Sequence, residues 1–381
     1  MDFSLSEEQV ALRDSIRKAP IGDWTETLTE DEHAGRFSWA GWKRFAELGY
    51  LGLPLPSELG GSGADLLTTL VAIEALGHCC RDSGLVHALV SQMLCGMQIA
   101  AYGSEEQKRS YLPRISSGEI VCAQALTEPD AGSDVSGIKT RAEKRGDEYV
   151  LNGAKTFISN GPIADLVVVY AATGTGRKAL GGLSCFIVEK EIPGFSRSKA
   201  LEKMGLRTLQ NGELFFQDCR LSASQLLGFE GQAMLTFNQV MEWERCLLFG
   251  AHLGTMQRVL EQCVRYARER RQFGGAIGRF QSVSHKIANM KVNLELGRLM
   301  LYKAAWQKDR GQRVLLETAI GKLFVSESLQ RACLDAVQIH GAYGYAKEFD
   351  LERELRDSIA STIYSGTSEI QRNLIAALLG L

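Results

Sequence analysis

Several features that would place the chain at once are missing. It has no C-x-x-C and no H-x-x-x-H spacing. Its nine cysteines scatter from Cys79 to Cys333, with Cys79–Cys80 the only close pair. A zinc site or disulfide framework needs more regular spacing. The cysteines therefore read as reduced, mostly buried thiols of a cytoplasmic protein, with no metal site expected. A surplus of charge is missing too: 43 Lys and Arg face 45 Asp and Glu, for a formal net charge of −2. That gives no pull towards nucleic acid or an anionic membrane. No uninterrupted apolar run reaches the roughly 20 residues of a membrane helix. Met1-Asp2-Phe3-Ser4 lacks the basic segment and apolar stretch of a secretory signal. Gly341-Ala342-Tyr343-Gly344 is not G-x-G-x-x-G and follows no strand, which disfavours a Rossmann dinucleotide site. There is no internal repeat and no low-complexity tract.

What is present is a soluble globular composition, 45% hydrophobic and 23% charged, over 381 residues, enough for two or three domains. Residues 1–119 read as helices. Ser6 with Glu7 and Glu8 is a start signal, Gly49 ends a helix over Trp42–Leu48, and Pro54 to Gly63 is a break. Two buried helices are expected between Leu66 and Tyr102. Residues 120–228 change to short β-branched runs: Tyr149–Leu151, Leu166–Tyr170, Leu183–Val188 and Glu213–Phe216. Asn152-Gly153, Asn160-Gly161-Pro162 and Gly181-Gly182 read as turns between them. Without helix-length crossovers, an antiparallel β domain is predicted. Residues 229–381 return to helical periodicity over 232–271, 281–308, 314–340 and 368–379. A helix of ~40 residues spans ~60 Å, so an antiparallel bundle with apolar faces available for oligomerisation is expected.

One carboxylate stands out. In the helix over 232–271, Phe237, Met241, Leu248 and Ala251 form an apolar stripe, and Glu244 sits on it. Its neighbours at three and four residues are Val240, Met241, Leu247 and Leu248, none a cation, whereas Glu242 and Arg245 are spaced to pair with each other. Burial should raise the Glu244 pKa, which suits a general base; pairing with a cation from another helix is the alternative. Thr127-Glu128-Pro129-Asp130-Ala131-Gly132-Ser133-Asp134 could present backbone N–H groups to an anion or be an ordinary connecting turn. Arg268 to Arg271 is either a solvated helix end or a phosphate contact.

Taken together, four ordered segments resemble the acyl-CoA dehydrogenases: the Thr127–Asp134 run, Gly153–Gly161, Arg270-Arg271-Gln272-Phe273-Gly274, and Ile363-Tyr364-Ser365-Gly366-Thr367-Ser368-Glu369-Ile370-Gln371-Arg372. The resemblance covers essentially the whole chain. It implies an α+β fold: an N-terminal helical domain, a middle antiparallel β-barrel domain and a C-terminal four-helix bundle. It further implies FAD held between subunits of a homotetramer. By the same resemblance Leu126 and Thr127 meet the flavin pyrimidine edge, and Gly132 and Ser133 the pyrophosphate. Phe157 and Ser159, where the family usually has Trp and Thr, match the pair on the ring and near N5. Arg270, Gln272 and Phe273 match contacts to the neighbouring subunit's FAD, with Gln281, Gln338 and Gly341 in that dinucleotide site, and Thr367 and Glu369 lie near the adenosine half. Ala342 and Tyr343 depart from the family pattern.

The main departure is Ser365, where most members carry the catalytic glutamate. A serine hydroxyl is too weak a base to take the α-proton of a thioester. A minority, including isovaleryl-type enzymes, carry the glutamate on the long helix, at the position of Glu244. The resemblance thus implies that Glu244 takes the α-proton while hydride leaves Cβ for the flavin. By the same resemblance the flavin ribityl hydroxyl and the backbone N–H of Ser365 would stabilise the thioester oxygen, with Tyr364 and Arg245 beside the substrate. Arg81–Leu85, Asn160–Asp165, Trp243–Arg245, Gly278–Ser284 and Arg298–Tyr302 look like a subgroup that oxidises proline on a carrier-protein arm, to a pyrroline or pyrrole, in natural-product biosynthesis. The alternatives are a branched-chain acyl-CoA dehydrogenase acting on a CoA thioester, another carrier-protein acyl oxidase, and a non-catalytic flavin-binding homologue. An acyl or peptidyl carrier protein and an electron-transfer flavoprotein are the expected partners.

Overall fold

The computed structural model describes residues 4–19, 27–174 and 182–381. Gly181 of the expected Gly181-Gly182 turn lies outside these, as do Met1 to Phe3. Six helices lead: α1 (Glu7–Lys18), α2 (Leu28–Ala34), α3 (Trp39–Glu47), α4 (Leu66–Cys79), α5 (Ser83–Tyr102) and α6 (Glu105–Ser116). Ser6 caps α1 in a capping box with Gln9, and Gly49, at φ 73°, follows α3. Helix α5 qualifies the reading of apolar runs. Polar residues such as Gln92 and Gln98 interrupt its sequence, yet by length and composition alone its 20 residues would suffice to cross a membrane. Most of it is buried inside the protein, which makes α5 a core helix.

The middle region contains β1 (Cys122–Ala125), β2 (Arg141–Arg145), β3 (Glu148–Ser159), β4 (Leu166–Ala172), β5 (Leu183–Glu189), β6 (Phe195–Arg197), β7 (Asn211–Ser222) and β8 (Leu226–Leu227). They form one eight-stranded sheet in the order β6-β7-β3-β2-β4-β5-β8, with β1 also on β4. The sheet is mixed rather than purely antiparallel, because β1 pairs with β4 in parallel from Cys122↔Leu166 to Ala125↔Val169. The crossover between these two strands is not a helix but the β2–β3 hairpin of the same sheet. Asn152-Gly153 is likewise not a turn. β3 runs through it with a bulge, and Gly153 lies so close to Thr140 that a β-carbon there would sit 2.4 Å from its Oγ1. Strand β4 is buried on both faces: Leu166, Val168 and Tyr170 face α5 and α6, while Val167 and Val169 pack with Phe186, Phe216 and Tyr149.

The last region holds α7 (Ala233–Glu269), the small hairpin β9 (Arg271–Gln272) and β10 (Gly275–Ala276), α8 (Gln281–Lys308), α9 (Leu315–His340), α10 (Ala342–Tyr345), α11 (Leu351–Ala360) and α12 (Ser368–Leu378). Helices α7, α8 and α9 pack on one another, and α11 and α12 lie against α9. This bundle shares one apolar core with α3–α5. Both ends of α4 are satisfied from it. The Asp309 carboxylate accepts from Leu66 N–H (2.8 Å) and Leu67 N–H (2.9 Å). Arg258 donates to the carbonyls of Gly77, His78 and Cys80 and pairs with Glu354 at 2.8 Å. Where α4 crosses α7, a β-carbon on Gly77 would lie 2.1 Å from the Ala251 carbonyl oxygen, and one on Gly254 2.1 Å from that of Glu74. That close crossing fixes the height of α7 against α4, and with it the position of Glu244.

Candidate active site

Between Val240 and Met256 on α7, Glu244 is the only side chain with partial exposure; all the others are buried. The carboxylate on the apolar stripe therefore opens onto a cleft. Its Oε1 accepts a hydrogen bond from the Ser365 hydroxyl, and no ion pair to it occurs among the described residues. Burial pushes the Glu244 carboxyl above the usual range, and the Ser365 hydroxyl, Arg245 and Lys322 pull it partway back. The partner is thus a hydroxyl, not a cation from another helix. Glu242 and Arg245 do not pair either. Glu242 takes Lys308 and the Val314 N–H (3.3 Å), while Arg245 points its Nη2 at the Ser365 carbonyl (3.4 Å). Both side chains are buried. Partners on the α8 end and α9 start reach Glu242, so tertiary contacts override the pairing expected along the helix.

Ser365 lies on a strained turn, with φ 57° there and 85° at Gly366. Gln371 holds it by donating to the carbonyls of Ser365 and Gly366, both at 3.0 Å, and the Thr367 hydroxyl caps α12 by accepting from Ile370 N–H at 3.2 Å. The Ser365 N–H has no partner among the described hydrogen bonds, which leaves a fixed donor at the cleft beside Glu244. Replacing Ser365 with Ala carries a signed consequence. The hydroxyl favours the ionised carboxylate, so its loss raises the Glu244 pKa further. The acid limb of the pH profile of kcat/KM then moves to higher pH. On that limb the rate falls roughly tenfold, the scale of one hydrogen bond to a charged group, and it recovers on the alkaline plateau. A profile that keeps its position would show that the hydroxyl does not tune the carboxylate.

Residues the sequence reading did not single out complete the cleft. His87 near the start of α5 and His252 on α7 flank Tyr364. His252 Nε2 is 2.6 Å from the Tyr364 hydroxyl, and the His87 ring meets the Tyr364 ring edge-on at 5.1 Å. His87 Nε2 also lies 3.4 Å from Ser159 Oγ. Burial, reinforced by Lys203, pushes His87 down to about 4, and burial with His87 and Lys322 pushes His252 down to about 3, so both imidazoles are neutral. His87 and His252 also line a small cavity with Gly77, Cys80, Ser83, Val86, Leu206, Leu248, Ala251 and Thr255. The histidines were weighed in the sequence only as metal ligands. Their usable signal was position, each on an otherwise apolar helix.

The residues expected around a dinucleotide fall into two groups. In the first, Leu126, Thr127, Gly132 and Ser133 precede β2, while Phe157 and Ser159 end β3. Lys155 Nζ donates to the Leu126 carbonyl (2.9 Å) and Thr156 N–H to the Thr127 carbonyl (2.9 Å), which locks the turn to the strand. The buried Glu128 braces it: Lys155, Lys139 N–H and Thr140 N–H all donate to its carboxylate. So Glu128 is a brace of this turn and not an anion contact. Phe157 has φ 57° and a side chain 66% exposed, and the Asn211 amide holds its carbonyl at 2.9 Å. Asn160 follows at φ 62°, its amide donating to Ala88 and Cys122 carbonyls (both 3.1 Å), which brings Ser159 beside α5. Thr367 and Glu369 begin α12, next to Ser365. The second group lies at one end of the bundle: Arg270, Gln272, Phe273 and Gln281 around the β9–β10 hairpin, and Gln338 and Gly341 at the end of α9. Arg270 lies over the Tyr343 ring at 5.7 Å, tying these two parts together. No described contact joins the second group to the first within the chain, and Phe273 is 91% exposed.

Comparison with known proteins agrees with this geometry. Residues 6–119 match the acyl-CoA dehydrogenase N-terminal domain, 123–219 its middle domain and 232–380 its C-terminal domain. The chain is 45% identical to an L-prolyl-[peptidyl-carrier protein] dehydrogenase of Pseudomonas fluorescens, over 92% of this chain and 93% of that protein. It is similar to the crystal structure of the prolyl acyl carrier protein oxidase AnaB, with 43% identity and a TM-score of 0.96 over 99% of this chain and 100% of the other. The structure of PigA with FAD and proline is also similar, at 38% identity and a TM-score of 0.96, covering both chains completely (100% each). With all three domains matched in order, and Glu244 facing Ser365 across the cleft, this chain belongs to the acyl-CoA dehydrogenase family.

Proposed function

We propose that the chain catalyses the FAD-dependent dehydrogenation of a carrier-protein thioester, with an L-prolyl group as the acyl part. The observation that carries the reading is the partly exposed Glu244 on α7, hydrogen-bonded to Ser365 where most of the family would have its base. Similarity to two prolyl carrier-protein enzymes, and to a protein whose structure contains FAD and proline, supports the substrate. Glu244 takes the α-proton, and the Ser365 N–H supports the charge that develops on the thioester oxygen.

The first group of residues fits the cofactor. An exposed, strained Phe157 offers a ring to open space beside Ser159. At Gly132 a β-carbon would meet nothing within 4 Å, so the turn there is open to an incoming group. FAD, when bound, supplies the oxidising power by accepting hydride. Leu126, Thr127, Gly132, Ser133, Phe157 and Ser159 would hold it, with Thr367 and Glu369 near the other end.

The second group supports a homotetramer in which one subunit's Arg270, Gln272, Phe273, Gln281, Gln338 and Gly341 complete the neighbour's cofactor site. An exposed apolar stripe on α8, formed by Val292, Leu296, Leu299 and Trp306, gives such an assembly a face to bury. Cytoplasmic residence belongs to the same reading and is supported by nine free cysteines, eight of them buried. Reoxidation by an electron-transfer flavoprotein is checked by following reduction of that protein in the assay.

The substrate is tested by mass spectrometry of carrier protein loaded with L-proline and incubated with the holoenzyme. Loss of one or two hydrogen pairs from the prolyl group is expected. An unchanged prolyl carrier with turnover of isovaleryl-CoA would instead establish a branched-chain acyl-CoA dehydrogenase, and no turnover of either, with FAD bound, would overturn the prolyl reading in favour of an oxidase of another carrier-bound acyl group or a non-catalytic homologue.

A further inference from the structure

Among the described residues four lysines and arginines are buried: Lys155, Arg245, Lys322 and Arg353. Lys155 pairs with Glu128 at 2.7 Å and Arg353 with Asp350 at 2.8 Å. Arg245 and Lys322 form no ion pair among these residues. Lys322 is 0% exposed and its Nζ has no hydrogen-bond partner; Arg245 Nε and Nη1 have none either. The two cations belong to one place. Lys322 Nζ lies 5.6 Å from the centre of the Phe249 ring, and Phe249 is one helical turn from Arg245 on α7. The same ring lies 6.0 Å from that of Tyr364, the neighbour of Ser365. Arg245 reaches the Ser365 carbonyl at 3.4 Å, and the Ser365 hydroxyl donates to Glu244. Two unpaired buried cations therefore stand near a carboxylate that has no ion pair of its own.

A buried charge without a partner costs free energy, so packing gives no reason for a lysine at 322. Its field gives one. Burial, then Arg245, push Lys322 down to about 8, against Glu327, Glu369 and Glu244. It is therefore charged through the acid range in which a carboxylate titrates. Glu327 is taken by Arg372 at 2.7 Å and Glu369 is exposed, which leaves Glu244 as the acid facing it inside the protein. The charges acting on Glu244 are Arg245 and Lys322; the Tyr364 phenol and the His252 imidazole are neutral. Among the described residues no charge from α8 or α11 acts on either group. A direct ion pair would occupy the carboxylate oxygens and weaken the base, whereas a cation held apart favours the charged form and leaves them free. The demand grows when flavin and thioester fill the cleft and expel the water around Glu244. We infer that Lys322 is a positioning residue, an unpaired buried cation whose field, with that of Arg245, keeps Glu244 ionised while its oxygens stay open to the Ser365 hydroxyl and the α-proton. This rests on Glu244 being the base and names what keeps it one.

The test is the pH profile of kcat/KM for prolyl carrier protein, native holoenzyme against Lys322→Met, each checked for FAD absorbance per chain. Loss of the cation disfavours the ionised carboxylate, so the acid limb moves to higher pH. On that limb the variant should be roughly tenfold slower, and the profiles should converge above about 8, where the native Lys322 loses its own charge. Because the charges are buried, the displacement should persist in about 0.5 M salt. Lys322→Gln removes the same charge and repeats the test if the Met variant folds poorly. Lys322→Arg keeps the charge and should retain the native limb. Lys190→Met removes a surface lysine paired with Asp165 and controls for net charge. Urea unfolding gives an independent reading: the Met variant should be at least as stable as native, because an unpaired buried charge has gone. A limb that stays in place in the neutral variants, one displaced as far by Lys322→Arg or Lys190→Met, or a loss equal at every pH would overturn the inference. So would a less stable Met variant with an unmoved limb, which would mark Lys322 as structural. Full activity in Glu244→Gln would overturn the base and this inference together; an unmoved limb in an enzyme that Glu244→Gln inactivates would overturn the inference alone.

Discussion

Replacing Glu244 with Gln is expected to lower kcat by roughly 10³- to 10⁴-fold while the protein stays yellow and folded. Glutamine matches glutamate in shape, and its carbonyl can still accept from the Ser365 hydroxyl, so the loop at residue 365 keeps its anchor. It has no lone pair basic enough to take an α-proton. Among the described residues no second carboxylate is hydrogen-bonded to Ser365. The nearest along α7, Glu242, is buried and committed to Lys308 and the Val314 N–H. The effect should fall on kcat and leave KM close to its native value, because the lost interaction is made in the transition state. Parallel absorbance spectra and turnover of the carrier-bound substrate separate the two outcomes. A variant with bound FAD and activity within about tenfold of native would remove Glu244 from the role of base.

The sequence was most legible where one local rule was strong enough to decide. The segments read over 232–271, 281–308 and 314–340 became α7, α8 and α9 with ends shifted by a residue or two, because helices that long repeat their apolar pattern many times. Helix α11 was missed, although Leu351, Leu355 and Ile359 recur every four residues; its short length and dense charge hid the pattern. Strands fared worse. The run at Tyr149–Leu151 is only the start of β3, and the Asn-Gly pair taken for a turn is a bulge made possible by the contact with Thr140. Glu244 was visible as a carboxylate without a helical partner on an apolar stripe. Its link to Ser365 joins residues 121 positions apart, and only the fold creates it. The same holds for His87 and His252, which mean little until Tyr364 lies between them, and for the choice of Lys308 rather than Arg245 as the partner of Glu242.

Replacing Glu128 with Leu should destabilise the protein by about 3–5 kcal/mol, more than any surface charge could. The Glu128 and Lys155 side chains are 4% and 0% exposed and meet at 2.7 Å. Burial acts to raise the Glu128 pKa but is outweighed, first by Lys155 and then by Thr140 and the Lys139 N–H, so the carboxyl sits below its usual range. Without it, Lys155 keeps only the Leu126 carbonyl, and the N–H groups of Lys139 and Thr140 lose their acceptor. The sign with pH follows from the depressed pKa. The stabilisation from Glu128 is complete above the carboxyl's unfolded pKa and disappears as pH falls through the folded one. Urea unfolding at neutral pH should show the full difference between native and variant, and the two should converge in acid. FAD occupancy should fall with stability, since Lys155 ties the turn at Leu126 and Thr127 to the strand that ends in Phe157 and Ser159. Adding Lys155→Met should recover much of the loss, because the orphaned charge goes with it. A single variant costing under about 1 kcal/mol, or a double variant worse than the single, would show that the pair does not brace the turn.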